Sequence, residues 1–523
     1  MRPRRIQSTM SSFDPSPIVS PSVSEADPCN LHFRFENSYA RLPEHFYARV
    51  NPTPVAAPRL VKVNEPLAVQ LGLDPLELAS PQGVEILAGN RVAEGSEPLA
   101  MAYAGHQFGH FVPQLGDGRA NLLGEVTGSD GIRYDIHLKG SGPTPFSRRG
   151  DGRAALGPVL REYLVSEAMA ALGVPTTRTL AAVTTGQQVY RETVLPGAVL
   201  TRVAASHLRV GSFQYFAAQR DVAGLRVLAD YAIARHFPLA AESTQPYRAL
   251  LDAVIAGQAQ LMAQWMLLGF VHGVMNTDNM AISGETIDYG PCAFMEAFDP
   301  ATVFSSIDHR GRYAYGNQPN AALWNLTRLA EAMLTILEEE TGSKEAALES
   351  ANAALGGFEP QFMRAHLDGL RRKLGLFTAL DCDAALAEDL LARMAANHAD
   401  FTLTFRRLSD AAAAPAADLA VRALFTEPAA YEAWAAVWRA RLQQEQVEAQ
   451  ARAESMRRVN PIYIPRNHLV EEALAAATLR EDFQPFERML EVLAHPYDER
   501  PCLERYRLPA RPEERVSQTF CGT

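Results

Sequence analysis

Residues 272–279 read His-Gly-Val-Met-Asn-Thr-Asp-Asn, and nine residues beyond Asn279 stands Asp288, in the run Ile287-Asp288-Tyr289-Gly290. Between them, Met280 to Ser283 and Thr286 to Asp288 flank Gly284-Glu285, a pattern that predicts a compact hairpin. Folded so, Asn279 and Asp288 stand about 5–8 Å apart as cross-strand or diagonal neighbours. An amide oxygen and a carboxylate so placed can share one Mg²⁺, a hard cation that keeps several of its waters. Asn and Asp are also common turn residues. The Asp-Tyr-Gly at hairpin distance is what sets this stretch apart. A long apolar helix predicted from Tyr247 to about Gly269 delivers the chain to His272.

Upstream, short strands and Gly-rich loops run from Leu99 to about Val203. Ala120 to Val126 and Tyr134 to Lys139 read as two strands joined by Thr127-Gly128-Ser129-Asp130-Gly131. Arg153 to Leu172 follows helical spacing, with Gly173 as its stop. Thr179 to Val183, Gln188 to Glu192 and Ala198 to Val203 read as three further strands. The pentapeptide Gly-Asp-Gly-Arg-Ala occurs twice, at 116–120 and 150–154, the second copy where the helix is expected to begin. Glycines let backbone N–H groups approach an anion and the adjacent Arg adds a bidentate phosphate donor, although Asp-Gly is also ordinary turn chemistry.

Of 49 basic residues only Lys62, Lys139, Lys344 and Lys373 are lysines. A chain that takes its surface charge from Arg makes the strand lysine Lys139 conspicuous, because the two cations are not interchangeable. Glu162 lies on the following helix. A strand Lys paired with a helix Glu, just after a Gly-rich hairpin, is how a kinase-like lobe orients ATP phosphates. Arg202 closes an apolar strand and Arg209 lies seven residues on; by themselves they read equally well as surface charge. His106 and His110 have no carboxylate beside them to complete a metal set, so zinc is not indicated.

The chain has 523 residues, 47% apolar and 21% charged, ample for a core. The most apolar helix, Leu261 to Val274, is broken by Gln264 and His272, so no membrane partner is expected. A net charge of −11 argues against nucleic acid. Five scattered cysteines without a CxxC pair fit a reducing compartment, hence a cytoplasmic reading. Arg2, Arg4 and Arg5 leave a mitochondrial alternative that Pro3, Pro15 and Pro17 weaken. After Gln219 the chain is mainly helical, with Ala321 to Glu340 and Ala-rich helices from 345 to 455.

Together these residues resemble selenoprotein O and its bacterial relatives, a pseudokinase-fold family of protein adenylyltransferases. The likeness runs through Tyr103-Ala104-Gly105-His106-Gln107-Phe108-Gly109, Gln114 to Arg119, His137 to Gly142, Arg148 to Leu164, Gly269 to Asn279, and Asp288-Tyr289-Gly290 to Tyr313. It implies an α+β, protein-kinase-like bilobal fold, with a β-rich N-lobe, an α-rich C-lobe and an additional helical C-terminal region. The organisation expected is a disordered tail over 1–30 and an extension over 31–98 packing on the core. A nucleotide-binding lobe over 99–215, a helical lobe with catalytic loop and metal site over 216–345, and a C-terminal region over 346–523 follow.

The resemblance also implies that ATP binds reversed relative to a kinase, with its α-phosphate toward the acceptor. Gly116, Gly118, Arg119, Lys139, Asp151 and Gly152 would contact the nucleotide, Glu162 would orient Lys139, and Arg202 and Arg209 would hold the triphosphate. Asp278 would be the proton acceptor, and Asn279 and Asp288 the Mg²⁺ or Mn²⁺ ligands, Asp288 also reaching the nucleotide. The activity implied is transfer of AMP from ATP, or UMP from UTP, to Ser, Thr or Tyr hydroxyls of proteins. Small-molecule kinases of this class carry His-Gly-Asp with Asn five residues after the Asp. Aligning Asn279 puts Val274 at that Asp, which cannot accept a proton. The residues alone leave open a true kinase transferring the γ-phosphate and an inactive nucleotide-binding scaffold. The resemblance further suggests a redox role for Cys521, third from the C-terminus. Cys292 would be its partner of most interest, although other relatives place a cysteine where this chain has Phe304.

Overall fold

A computed structural model describes residues 32–520, so the expected tail over 1–30 and Cys521 lie outside the described residues. The strands are β1 (Tyr47–Arg49), β2 (Arg59–Val63), β3 (Leu99–Met101), β4 (Gly105–Gln107), β5 (His110–Val112), β6 (Ala120–Thr127), β7 (Arg133–Lys139), β8 (Ala154–Ala155), β9 (Arg178–Tyr190) and β10 (Val194–Ala204). One antiparallel sheet runs β1-β3-β6-β7-β10-β9-β2, with β8 on β10, while β4 and β5 pair with each other. The β6–β7 turn forms as its Asp-Gly chemistry predicts: Asp130 accepts from the Ile132 N–H at 2.9 Å and Gly131 takes φ +77°. The register sets Lys139 opposite both Ala120 and Leu200, and His137 opposite Arg202. Side chains alternate along a strand, so His137, Lys139 and Arg202 share one face.

The runs at 179–183 and 188–192 are one strand rather than two. Thr185-Gly186-Gln187 reads as a turn, but the ladder absorbs it as an irregularity opposite Pro196 and Ala198, and the chain reverses at Arg191–Thr193. Three short helices, α1 (Glu65–Gln70), α2 (Pro75–Ala79) and α3 (Pro81–Leu87), precede the long α4 (Leu156–Ala171). The second Gly-Asp-Gly-Arg-Ala therefore does not open α4, because Ala154 and Ala155 first pair with β10. Leu156, Leu160 and Leu164 of α4 join a core that includes Leu200 of the sheet and Leu469, Val470 and Phe486 of the C-terminal region. Burial on both sides explains why Arg161 and Glu162 are buried as well. Truncating fully buried Leu160 to Ala should cost about 2–5 kcal/mol.

Beyond the sheet come α5 (Val210–Gln219), α6 (Val222–His236), α7 (Pro246–Leu268) and α8 (Gln318–Thr341), then helices from Lys344–Leu355 to Gln484–Leu493. Architecture is thus mixed α+β, an antiparallel sheet followed by a large helical region. Among the described residues no helix is long and apolar enough to cross a membrane.

The hairpin expected between Asn279 and Asp288 is not a strand pair. Its two arms bond outward: Ile282 N–H to Leu208 O at 2.9 Å and Val210 N–H to Met280 O at 3.0 Å on one side. On the other, Thr286 N–H reaches Pro175 O and Thr177 N–H reaches Thr286 O, both at 2.9 Å. The reversal at Gly284 (φ +80°) survives, but neighbouring segments satisfy the backbone groups that a hairpin would have paired internally. Near the end of the described chain, Thr519 donates its hydroxyl to Pro291 O at 2.6 Å and its N–H to Phe304 O at 2.8 Å, tying the tail beside the segment that follows Asp288.

Candidate active site

Four segments converge on one cavity of about 880 Å³: the loop after β5, the end of β7 with the loop 146–154, the inner face of α4 and β10, and the segment 274–291. Every nucleotide, proton-acceptor and metal candidate named from the sequence lines it, from Gly116 to Asp288, Glu162 included. Lys139 Nζ donates to Glu162 Oε2 at 2.6 Å and to Asp288 Oδ1 at 2.8 Å. Arg202 Nη1 reaches Asp288 Oδ1 at 2.6 Å, and Arg209 Nη1 reaches Asp288 Oδ2 at 2.9 Å. Glu162, far from being a solvated helix residue, is 4% exposed. Burial alone would raise the Asp288 carboxyl; Lys139, Arg202 and Arg209 instead hold it well below the ordinary range.

The two Gly-Asp-Gly loops form adjoining walls. A Cβ on Gly116 (φ +68°) would enter the Phe146 ring, and one on Gly152 (φ +67°) would stand 2.1 Å from the Gly142 backbone, so both positions demand glycine. Asp151 sits at the rim, where Arg191 holds it at 2.8 Å.

Asp278 and Asn279 lie in a 3₁₀ turn over Thr277–Asn279. Asn279 Nδ2 donates to Val274 O at 3.0 Å, which leaves its amide oxygen as the group that can accept or ligate. Arg209 Nη1 also binds the Asp278 carbonyl at 2.7 Å. Asp278 is 8% exposed, and burial pushes its carboxyl up to about 6. Its Oδ1 is buried with no hydrogen-bond partner among the described residues. Such an orphaned acceptor, next to an orientable amide oxygen and across from a carboxylate, fits a hard divalent cation and a polar acceptor group. Among the described residues no three His, Cys, Asp or Glu side chains gather as a metal cage. The donor set is therefore the kind that shares a cation with phosphate oxygens and water.

Sequence reasoning missed the hairpin β4–β5. Gln107 Nε2 donates to Asp278 Oδ2 at 3.3 Å, His106 N–H to Thr277 Oγ1 at 2.7 Å, and Phe108 N–H to Asn276 Oδ1 at 3.0 Å. Gln214 of α5 closes the arrangement, accepting from Thr277 Oγ1 at 2.6 Å and meeting His106 Nδ1 at 2.8 Å. The sequence carries no distinct signal for this, because a glutamine between two histidines gains a role only from the Asp278 carboxylate that the fold sets against it.

The profile described as "Protein adenylyltransferase SelO" matches residues 29–494. The chain belongs to the SelO family. Among its relatives is the "Protein nucleotidyltransferase YdiU" of Methylorubrum extorquens, 66% identical over 497 residues, 94% of this chain and 99% of the relative. Proteins of the same description from Bradyrhizobium sp. strain BTAi1 and Rhodopseudomonas palustris strain BisB5 are 64% and 63% identical over 493 residues, each covering 94% of this chain and 100% of the relative. As a SelO-family member, the protein is a nucleotidyltransferase enzyme.

Proposed function

We propose that this enzyme transfers AMP from ATP, or UMP from UTP, to Ser, Thr or Tyr hydroxyls of target proteins. The observation that carries the reading is the convergence of Lys139, Arg202 and Arg209 on Asp288 in the cavity that also holds Asp278. Three fixed cations suit a triphosphate, and the partner-poor carboxylate of Asp278, whose backbone Arg209 also holds, suits a hydroxyl proton. The sheet with α4 serves as the nucleotide lobe, its edge strands β1 and β2 supplied by the 31–98 extension, and the helices after Gln219 as the second lobe of a kinase-like bilobal arrangement.

In this reading ATP lies reversed, with its triphosphate along Lys139, Arg202 and Arg209 and the glycines of 116–118 and 152 admitting it closely. Glu162 keeps Lys139 extended. The acceptor oxygen attacks the α-phosphorus as its proton passes to Asp278, and the bond from that phosphorus to the bridging oxygen breaks, so pyrophosphate leaves with the electron pair. Asn279 and Asp288 would hold Mg²⁺ or Mn²⁺, which when bound neutralises phosphate charge and polarises the reacting phosphoryl group. Val274, with no proton-accepting group at the position where a small-molecule kinase keeps its Asp, favours this over γ-phosphate transfer. A cytoplasmic location goes with the reading, and so does a redox role for Cys521.

The test is mass spectrometry of acceptor proteins incubated with enzyme, Mg²⁺ and ATP. A nucleoside monophosphate adduct on Ser, Thr or Tyr is expected, together with released pyrophosphate. Phosphate adducts alone would overturn the proposal.

A further inference from the structure

A buried polar layer that the transfer chemistry does not use borders the cavity, with Asp117 and His137 in its lining. His137 and His207 are fully buried and stack with ring centroids 4.2 Å apart. Both touch Arg202, itself 2% exposed. Arg202 Nε donates to His207 Nε2 at 3.2 Å, and Arg202 Nη2 to His137 Nδ1 at 3.4 Å. A guanidinium has only donors, so both of these ring nitrogens must be unprotonated acceptors. The proton of each neutral ring then sits on its other nitrogen, and each of those faces a carboxylate. His207 Nδ1 donates to Asp135 Oδ2 at 2.9 Å, and His137 Nε2 to Asp117 Oδ2 at 3.3 Å.

The far ends are pinned in turn. Asp135 receives Arg235 of α6 at 2.6 Å and the His207 N–H at 2.8 Å. Asp117 accepts the Met101 N–H at 3.0 Å and lies 3.9 Å from Arg209. Desolvation lowers the pKa of both imidazoles, in keeping with neutral rings.

We propose that His137 and His207 are positioning residues that aim Arg202 at the triphosphate without adding negative charge behind it. Two neutral acceptors occupy Nε and Nη2 from behind, so Nη1 is the nitrogen that turns to the cavity side, where it meets Asp288 Oδ1 at 2.6 Å and Glu162 Oε1 at 3.4 Å. A carboxylate in either place would orient the guanidinium equally well but add a third anion to Asp288 and Glu162, which already meet it, and so weaken its pull on a phosphate. Asp117 belongs to the Gly116–Gly118 loop, so the loop and the arginine are held in one network.

This inference rests on Arg202 contacting the triphosphate, and geometry supplies a test with a reciprocal signature. At 207 the atom that touches Arg202 is Nε2, which a Gln amide oxygen can mimic, whereas Asn reaches only as far as the Asp135-facing Nδ1. At 137 the touching atom is Nδ1, which Asn mimics and Gln does not. Transfer from α-labelled ATP is measured for His207→Gln, His207→Asn, His137→Asn and His137→Gln. His207→Asn and His137→Gln should lose about 10- to 100-fold in kcat/KM for ATP, with KM for the acceptor protein unchanged. His207→Gln and His137→Asn should stay within about threefold of the parent enzyme. A purely structural role would rank the four by size or stability alone, so the same residue preference at both positions, or no loss in any variant, overturns the proposal. If one position tolerates no change without unfolding, the Asn–Gln order at the other decides. Absence of α-label transfer by the parent enzyme would count against the function proposed above instead.

Discussion

Gly105→Ala isolates the role of the Asp278 carboxylate. Gly105 lies in β4 outside the left-handed region, so alanine brings no backbone strain. Its Cβ would, however, stand 2.5 Å from Asp278 Oδ1 and 2.9 Å from Leu115 Cδ1. Real Cβ atoms essentially never come within 3.0 Å of another heavy atom, so the carboxylate must retreat by about 0.5 Å or more. β4 cannot easily give way, because the His106 N–H is bonded to Thr277 Oγ1 at 2.7 Å. A misplacement of 1 Å at a reacting group costs about 10²-fold, so kcat should fall about 10- to 100-fold. Overpacking should remove about 1–3 kcal/mol of stability, which lowers Tm and leaves the fold intact. The assay is single-turnover transfer of α-label at saturating ATP, with ATP affinity measured separately by calorimetry and expected to be unchanged. In an Asp278→Ala background the same substitution should cost transfer almost nothing. An undiminished kcat, or an equal further loss in that background, would refute the argument that the glycine serves the carboxylate.

Asp278→Ala itself should slow transfer about 10²–10⁴-fold with ATP affinity nearly intact by calorimetry, the range for loss of a general base. Asp288→Ala should depress transfer by several orders of magnitude and abolish its dependence on Mg²⁺ concentration in a metal titration, since three cations and a ligand site lose their shared carboxylate. Lys373 is buried with its ammonium 4.4 Å from the Phe405 centroid, and burial lowers its pKa from the ordinary 10.5 to about 7. Between those values the unfolded chain binds more protons than the folded one, so this residue makes stability rise with pH over that window. Lys373→Met should flatten the rise in thermal melts and add on the order of 3 kcal/mol near pH 6–7. Cys521→Ser should match the parent enzyme under reducing conditions and lose any change on oxidation; peptide mapping of oxidised protein should show Cys521 joined to Cys292, and a free Cys521 thiol with unchanged activity would refute this.

The chemistry was most legible where a residue type was scarce or its spacing long. Lys139 stood out because the chain otherwise spends arginine, and the structure gives it Glu162 at 2.6 Å. Asn279 and Asp288 line one cavity, yet not through the expected hairpin, because segments 208–210 and 175–177 compete for the same backbone groups. Gln107 and Gln214 were illegible: a neutral amide acquires meaning only from what the fold sets against it. The same holds for His137 and His207, ordinary residues on or near a strand until the register puts both beside Arg202. Asp117 offers in sequence only Asp-Gly turn chemistry, whereas its carboxylate anchors a histidine.

The account turns on which phosphorus the acceptor attacks. Parallel reactions with ATP labelled at the α- or the γ-phosphate, each with Mg²⁺ and a protein acceptor, answer this directly. Protein-bound label from α-labelled ATP alone, with the γ-label recovered in pyrophosphate, is the predicted result; protein-bound label from γ-labelled ATP alone would contradict it and return the site to a kinase.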